Sequence, residues 1–151
     1  VTSPVCGIHA MGVDLGVFRR PTGYLKVIEL VLSFLCIIFI RSKPFVKGQT
    51  LDAQIICDGT VFAYIIITSV LLICYVYGAS SISSTPLELL FNMLGCLFYV
   101  VTGSLIIDLY KSPYSYTIPN DSYAKTTGAL SIINGVVYAI DSFFAFKAFH
   151  G

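Results

Sequence analysis

Apolar residues fall into four blocks along this chain, at about residues 24–40, 60–78, 86–110 and 126–149, separated by short polar stretches. Each block is roughly the length a helix needs to cross a bilayer core of about 30 Å. The blocks are apolar nearly all round, without the broad polar face of a soluble surface helix. In hydrocarbon every backbone N–H and C=O must be satisfied within its own segment, so the blocks are predicted to be helices. The pattern therefore predicts an all-α integral membrane four-helix bundle with both termini on the same side. Residues 24–149 form the bundle, 1–23 an N-terminal segment expected in the cytosol, and 150–151 the trailing end.

The few polar residues inside the blocks are regularly spaced. Lys26, Glu29 and Ser33 share one face of the first helix. Glu88, Asn92, Gly95, Tyr99 and Gly103 do so on the third, and Ser131, Asn134, Tyr138 and Asp141 on the fourth, all at steps of three or four. Such groups are costly against lipid, so these seams are expected to face inward and hydrogen-bond between helices. Glu29, Asn92, Asn134 and Asp141 are the expected bundle residues. Glu29 and Asp141 also make a candidate proton or cation site, with Lys26 or Lys147 snorkelling to neutralise it. The second block, with only Tyr64, Thr68 and Ser69, is expected to lack an inward seam and to meet lipid or a partner.

Boundaries follow from local signals. Thr85, Pro86 and Glu88 make a helix start with a cap, a proline at the first helical position and a capping-box glutamate. The first loop is read as 41–59 and the third as 111–125, the latter bracketed by Tyr110, Tyr114, Tyr116 and Tyr123 in the manner of an interfacial aromatic belt. Lysine and arginine divide four against five between the two sides, which leaves the orientation undecided. Residues 1–18 show no basic leader before an apolar stretch, so the first span is expected to act as its own targeting signal. Asn120 opens an Asn-Asp-Ser glycosylation sequon, and Cys6 is a candidate for palmitoylation.

Composition narrows the function. The chain is 56% hydrophobic and only 11% charged, well below the roughly 25% of soluble domains. A net charge of +1 without a basic stripe argues against nucleic acid as a partner. The five cysteines form no CxxC and no paired loop set, so neither a disulfide framework nor a metal site is expected, and Cys36, Cys74 and Cys96 are read as packing residues. His9 and His150 stand apart from any nucleophile, and no glycine-rich phosphate loop or HExxH is present. No catalytic residue, cofactor or metal is assigned, and a non-enzyme is expected.

The stretch from Pro21 to Leu32, PTGYLKVIELVL, resembles the entry into the first span of the MARVEL group of tetraspan membrane proteins. Asp52-Ala53, Gly59 and Gly78 around the second span fit the same group, as do Asn92, Gly95-Cys96 and Gly103 in the third and Gly128, Gly135, Tyr138 and Asp141 in the fourth. The resemblance runs from about Pro21 onward and is strongest to the insect MARVEL-like proteins of smooth septate junctions. It implies cytosolic termini, first and third loops outside or lumenal, and a role in membrane apposition, junctions or vesicle trafficking. Claudins, tetraspanins and connexins fit less well, since each needs loop cysteines that are absent here.

The leading expectation is a non-enzymatic scaffold in a junctional or vesicle membrane. Its partners would be membrane lipids and other integral membrane proteins or further copies of itself. The alternatives are an accessory subunit of a larger membrane complex, and a small proton- or ion-coupled transporter using Glu29 and Asp141.

Overall fold

The computed structural model describes residues 15–42, 51–77, 85–111 and 121–150. A short 3-10 turn, Leu15–Arg19, leads into helix α1, Pro21–Ser42. Three further helices follow: α2 is Leu51–Val76, α3 is Pro86–Lys111 and α4 is Asp121–His150. Proline opens α1 and α3, where its missing N–H costs no helical bond and its fixed φ suits the first turn. Asp52 and Glu88 lie in first turns, and Arg41, Lys147 and His150 in last turns. Asp52, Arg41 and Lys147 thus oppose the partial charge at their helix ends. All four helices are long and apolar enough to cross a membrane.

The second helix begins at Leu51, not near residue 60 as its hydropathy predicted. Asp52, Asp58 and Gly59 read as loop residues in sequence, yet Ala53 and Cys57 continue the buried face of the helix. Asp58 stays tolerable there because Arg41 approaches it at 3.8 Å. Cys57 is therefore a buried helical residue and not a loop cysteine. The first and fourth helices also begin earlier than predicted, at Pro21 and Asp121.

Buried positions alternate in steps of three and four along every helix. The rows are Lys26, Glu29, Ser33, Cys36 and Ile40 on α1, and Cys57, Val61, Tyr64, Thr68, Leu71 and Tyr75 on α2. On α3 they are Glu88, Asn92, Gly95, Tyr99, Thr102 and Ile106, and on α4 Ala124, Thr127, Ser131, Asn134, Tyr138, Asp141 and Ala145. A repeat of 3.5 is that of left-handed bundle packing, which keeps one seam facing its neighbours along the full length of a helix. The second helix thus has an inward seam like the others, against the expectation that it lacked one. Its seam was hidden because its tyrosines, cysteine and threonine carry no charge or amide and are each polar at a single atom.

Helices adjacent in sequence pack together, and α4 closes the bundle against α1. The start of α1 and the end of α4 share one end, called proximal here. The most extensive contact is between α3 and α4. It is possible because Gly103 and Gly128 face each other: a Cβ on Gly103 would stand 2.7 Å from the Gly128 carbonyl oxygen and 2.6 Å from Ile132 Cγ1. Outside, large apolar side chains such as Val31, Ile38, Ile66, Leu97 and Phe143 are exposed, as lipid-facing residues should be.

Gly103→Ala must push a backbone carbonyl aside and is expected to destabilise the fold by about 1–3 kcal/mol. Gly59→Ala, where a Cβ meets nothing within 4 Å, is expected to be neutral or to gain up to about 1 kcal/mol of helix propensity. Thermal unfolding of the two variants in mild detergent checks the contrast.

A buried polar core as the candidate functional site

The seams meet in a polar core that begins near the proximal end with Lys26. Its side chain is fully buried, and its ammonium has three donors for three acceptors. They are Glu29 Oε2 at 3.1 Å on its own helix, Asn92 Oδ1 at 2.6 Å on α3 and Asp141 Oδ2 at 2.5 Å on α4. Asn92 Nδ2 donates to the same Asp141 oxygen at 2.9 Å, so one carboxylate atom takes two donors. The Tyr138 ring lies below the ammonium, 5.6 Å from Nζ to the ring centre. Lys26 therefore lies on the inward seam with Glu29 and Ser33 and reaches the carboxylates directly, without the snorkelling considered for Lys26 or Lys147. Three acceptors in three directions replace the water that the ammonium gives up on burial, and Lys147 remains outside on the last turn of α4.

Beside this layer, the Tyr75 phenol of α2 donates to Glu88 Oε1 of α3. Glu88 thus turns inward to a partner on α2, which brings all four helices into the charged layer. One helical turn deeper, Ser33 donates to the Glu29 carbonyl at 2.7 Å. With its proton spent there, Ser33 Oγ accepts from Asn134 Nδ2 at 3.0 Å and from the Tyr99 hydroxyl at 2.7 Å. Tyr138 meets Thr68 at 2.6 Å. Tyr99 and Tyr138 stack with ring centres 5.4 Å apart, and Tyr64 stands edge-on to both. Gly95 makes room for this trio, since a Cβ there would lie 2.9 Å from both Tyr64 and Tyr138.

The last bond between helices inside the core, among the described residues, is the long contact of Cys36 with Ser131 at 3.7 Å. Beyond it Ile40, Val61, Cys57, Ile106 and Ala124 fill the distal third of the bundle. Thr127 there bonds only its own helix, to the Tyr123 carbonyl at 2.8 Å. The polar core is therefore closed at the distal end by an apolar plug, and its members are buried at the proximal end as well.

Of the residues singled out in sequence, Glu29, Asn92 and Asp141 meet on Lys26, and Asn134 sits one turn away on Ser33. Tyr75 was missed, and Thr68 was named without being assigned to an inward seam; the three-and-four spacing of the second helix was the signal that marks them. Cys36 is buried as expected, whereas Cys74 and Cys96 are partly exposed. In the proposed aromatic belt, Tyr123 is partly exposed and packs on Phe39 with ring centres 5.9 Å apart. Asn120, Cys6, Tyr114 and Tyr116 lie outside the described residues.

Lys26→Met leaves Asp141 without its cation and is expected to cost about 3–5 kcal/mol, as breaking a buried pair does. Lys147→Met on the exposed last turn should change stability by less than about 0.5 kcal/mol. Pairing Lys26→Met with Asp141→Leu should recover much of the loss, giving a coupling energy above about 1 kcal/mol in a double-mutant unfolding cycle.

Comparison with known proteins agrees with this architecture. The family profile described as MARVEL, a membrane-associating domain, matches residues 17–144. Protein snakeskin from Bombyx mori is 22% identical over 96 residues, covering 60% of this chain. The match spans 61% of that relative's length. No solved structure matches. The profile covers all four helices and every polar residue of the core, so the chain is a multi-pass integral membrane protein that belongs to the MARVEL family.

Proposed function

We propose that this protein is a non-enzymatic membrane scaffold that organises contacts between membranes, at a cell junction or on vesicles, by lateral packing with lipids and other integral membrane proteins. The observation that carries this reading is the closed interior. Polar groups are directed into the bundle and bonded to each other across helices, and the distal third of the core is mainly apolar, with threonine hydroxyls as its buried polar groups. What remains for function is the apolar exterior and the short connections. The similarity to snakeskin and the septate-junction resemblance read from the sequence favour a junctional membrane, with the proximal end in the cytosol. Asn120, in the third loop, is then the glycosylation candidate on the outer side, and Cys6 the palmitoylation candidate on the cytosolic side.

A transporter using Glu29 and Asp141 would need a polar path past Ile40, Val61 and Ile106, where buried apolar side chains stand instead. Reconstituted in liposomes under a proton or sodium gradient, the protein is expected to dissipate neither gradient faster than protein-free vesicles. Photo-crosslinking side chains at the exposed Ile55 and Ile66 should give discrete adducts with membrane proteins or further copies, while one at buried Val61 should give none. A protein-dependent gradient leak that Glu29→Gln abolishes would sink the scaffold reading. A single large adduct at fixed stoichiometry would favour an accessory subunit.

A further inference from the structure

The charged layer does not balance. Facing it are Lys26 and Glu29 from α1, Tyr75 from α2, Glu88 and Asn92 from α3, and Tyr138 and Asp141 from α4. Lys26 is its one cation among the described residues, since Arg19, Arg20 and Lys147 are exposed. Against it stand three carboxyl groups, all fully buried. If all three were ionised, the layer would hold two surplus negative charges at membrane depth, each an uncompensated ion costing several kcal/mol. A neutral hydroxyl without a partner costs only about 1–3 kcal/mol.

The hydrogen bonds show where the balance is made. Each carboxyl has one oxygen without a partner: Glu29 Oε1, Glu88 Oε2 and Asp141 Oδ1. Asp141 receives two donors on its other oxygen, one of them the closest contact of the ammonium. Glu29 receives only the longest of the three Lys26 contacts, and Glu88 only a neutral phenol. Among the described residues no three His, Cys, Asp or Glu groups converge to hold a metal ion. Protons need no convergence and can sit on separate oxygens.

We propose that the charged layer is a two-proton site, in which Glu29 and Glu88 are carboxylic acids protonated at Oε1 and Oε2 and Asp141 alone is the carboxylate that balances Lys26. The inference stands on charge and hydrogen bonding, independently of the scaffold reading. Because the folded protein then holds two protons that the unfolded chain releases near the ordinary glutamate pKa of about 4.3, stability falls as pH rises above that value and levels off once the folded carboxyls ionise as well.

Infrared spectroscopy of the full chain in lipid nanodiscs tests this directly. At neutral pH the wild-type protein should show carboxylic-acid C=O absorption that shifts in heavy water. Glu29→Gln and Glu88→Gln should each remove about half of it, and the double variant nearly all. Amides resemble protonated acids in shape and neutrality, so the double variant should fold with a Tm within a few degrees of wild type at neutral pH. It should also lose most of this fall in Tm as pH is raised from about 4.3. Absence of acid absorption in the wild-type protein overturns the proposal with no variant required. So does absorption unchanged in both single variants, or a double variant whose Tm falls with pH as steeply as that of wild type.

Discussion

A single buried ammonium organises this bundle. Lys26 can be dehydrated only if each of its three protons finds an acceptor, and the acceptors it finds come from α1, α3 and α4. Satisfying one side chain therefore sets the rotation of three helices about their axes and their depth relative to one another. Tyr75 and Glu88 extend the constraint to the second helix. An apolar seam would permit slippage by a residue or a turn at little cost, because lipid and leucine are equivalent surroundings. A lysine tied to an aspartate on another helix does not permit it, since a shift strands both charges.

The constraint also explains why the protein is polar inside and apolar outside. In water the hydrophobic effect would drive the helices together, but in a bilayer it has already been satisfied by insertion. Packing and hydrogen bonds must then hold the helices, and each polar group does its work only by facing inward. The core divides the task by depth. The proximal layers use charge and amide groups, the middle uses three tyrosines in mutual ring contact, and the distal third relies on apolar fit. Between α3 and α4, glycine replaces side-chain contact with close backbone approach.

Much of this was legible in the sequence, for a physical reason. Polar residues are so costly in a membrane helix that their spacing reports the inward face, and Glu29, Asn92, Asn134 and Asp141 were found in that way. The inward seam included Lys26, but its partners were not legible, because a lysine near a helix end can either snorkel or pair, and the choice depends on acceptors distant in sequence. Nor was the extension of the second helix to Leu51, since Asp58 and Gly59 are breakers only where nothing compensates them. Arg41 compensates one, and the other costs only about 1 kcal/mol of helix propensity. The second helix misled for a related reason: tyrosine and threonine are polar only at one atom, so hydropathy hides a seam that their hydroxyls define.

The same economy bears on how the protein acts. A transport site needs groups whose partners change during a cycle, together with water on alternating sides. Here the ammonium already uses every donor, and the middle layer shares Ser33 among three partners. Rearranging either layer would mean breaking several bonds at once in a region without water to replace them. A core bound so tightly has little to exchange with its surroundings, and rigidity is of more use to a protein that works through its outer surface. On that surface the exposed isoleucines, leucines and phenylalanines of all four helices are placed by the buried seams behind them. The lipid-facing pattern is then a consequence of Lys26 as much as the packing is, and any lateral partner would read a surface held in register from within.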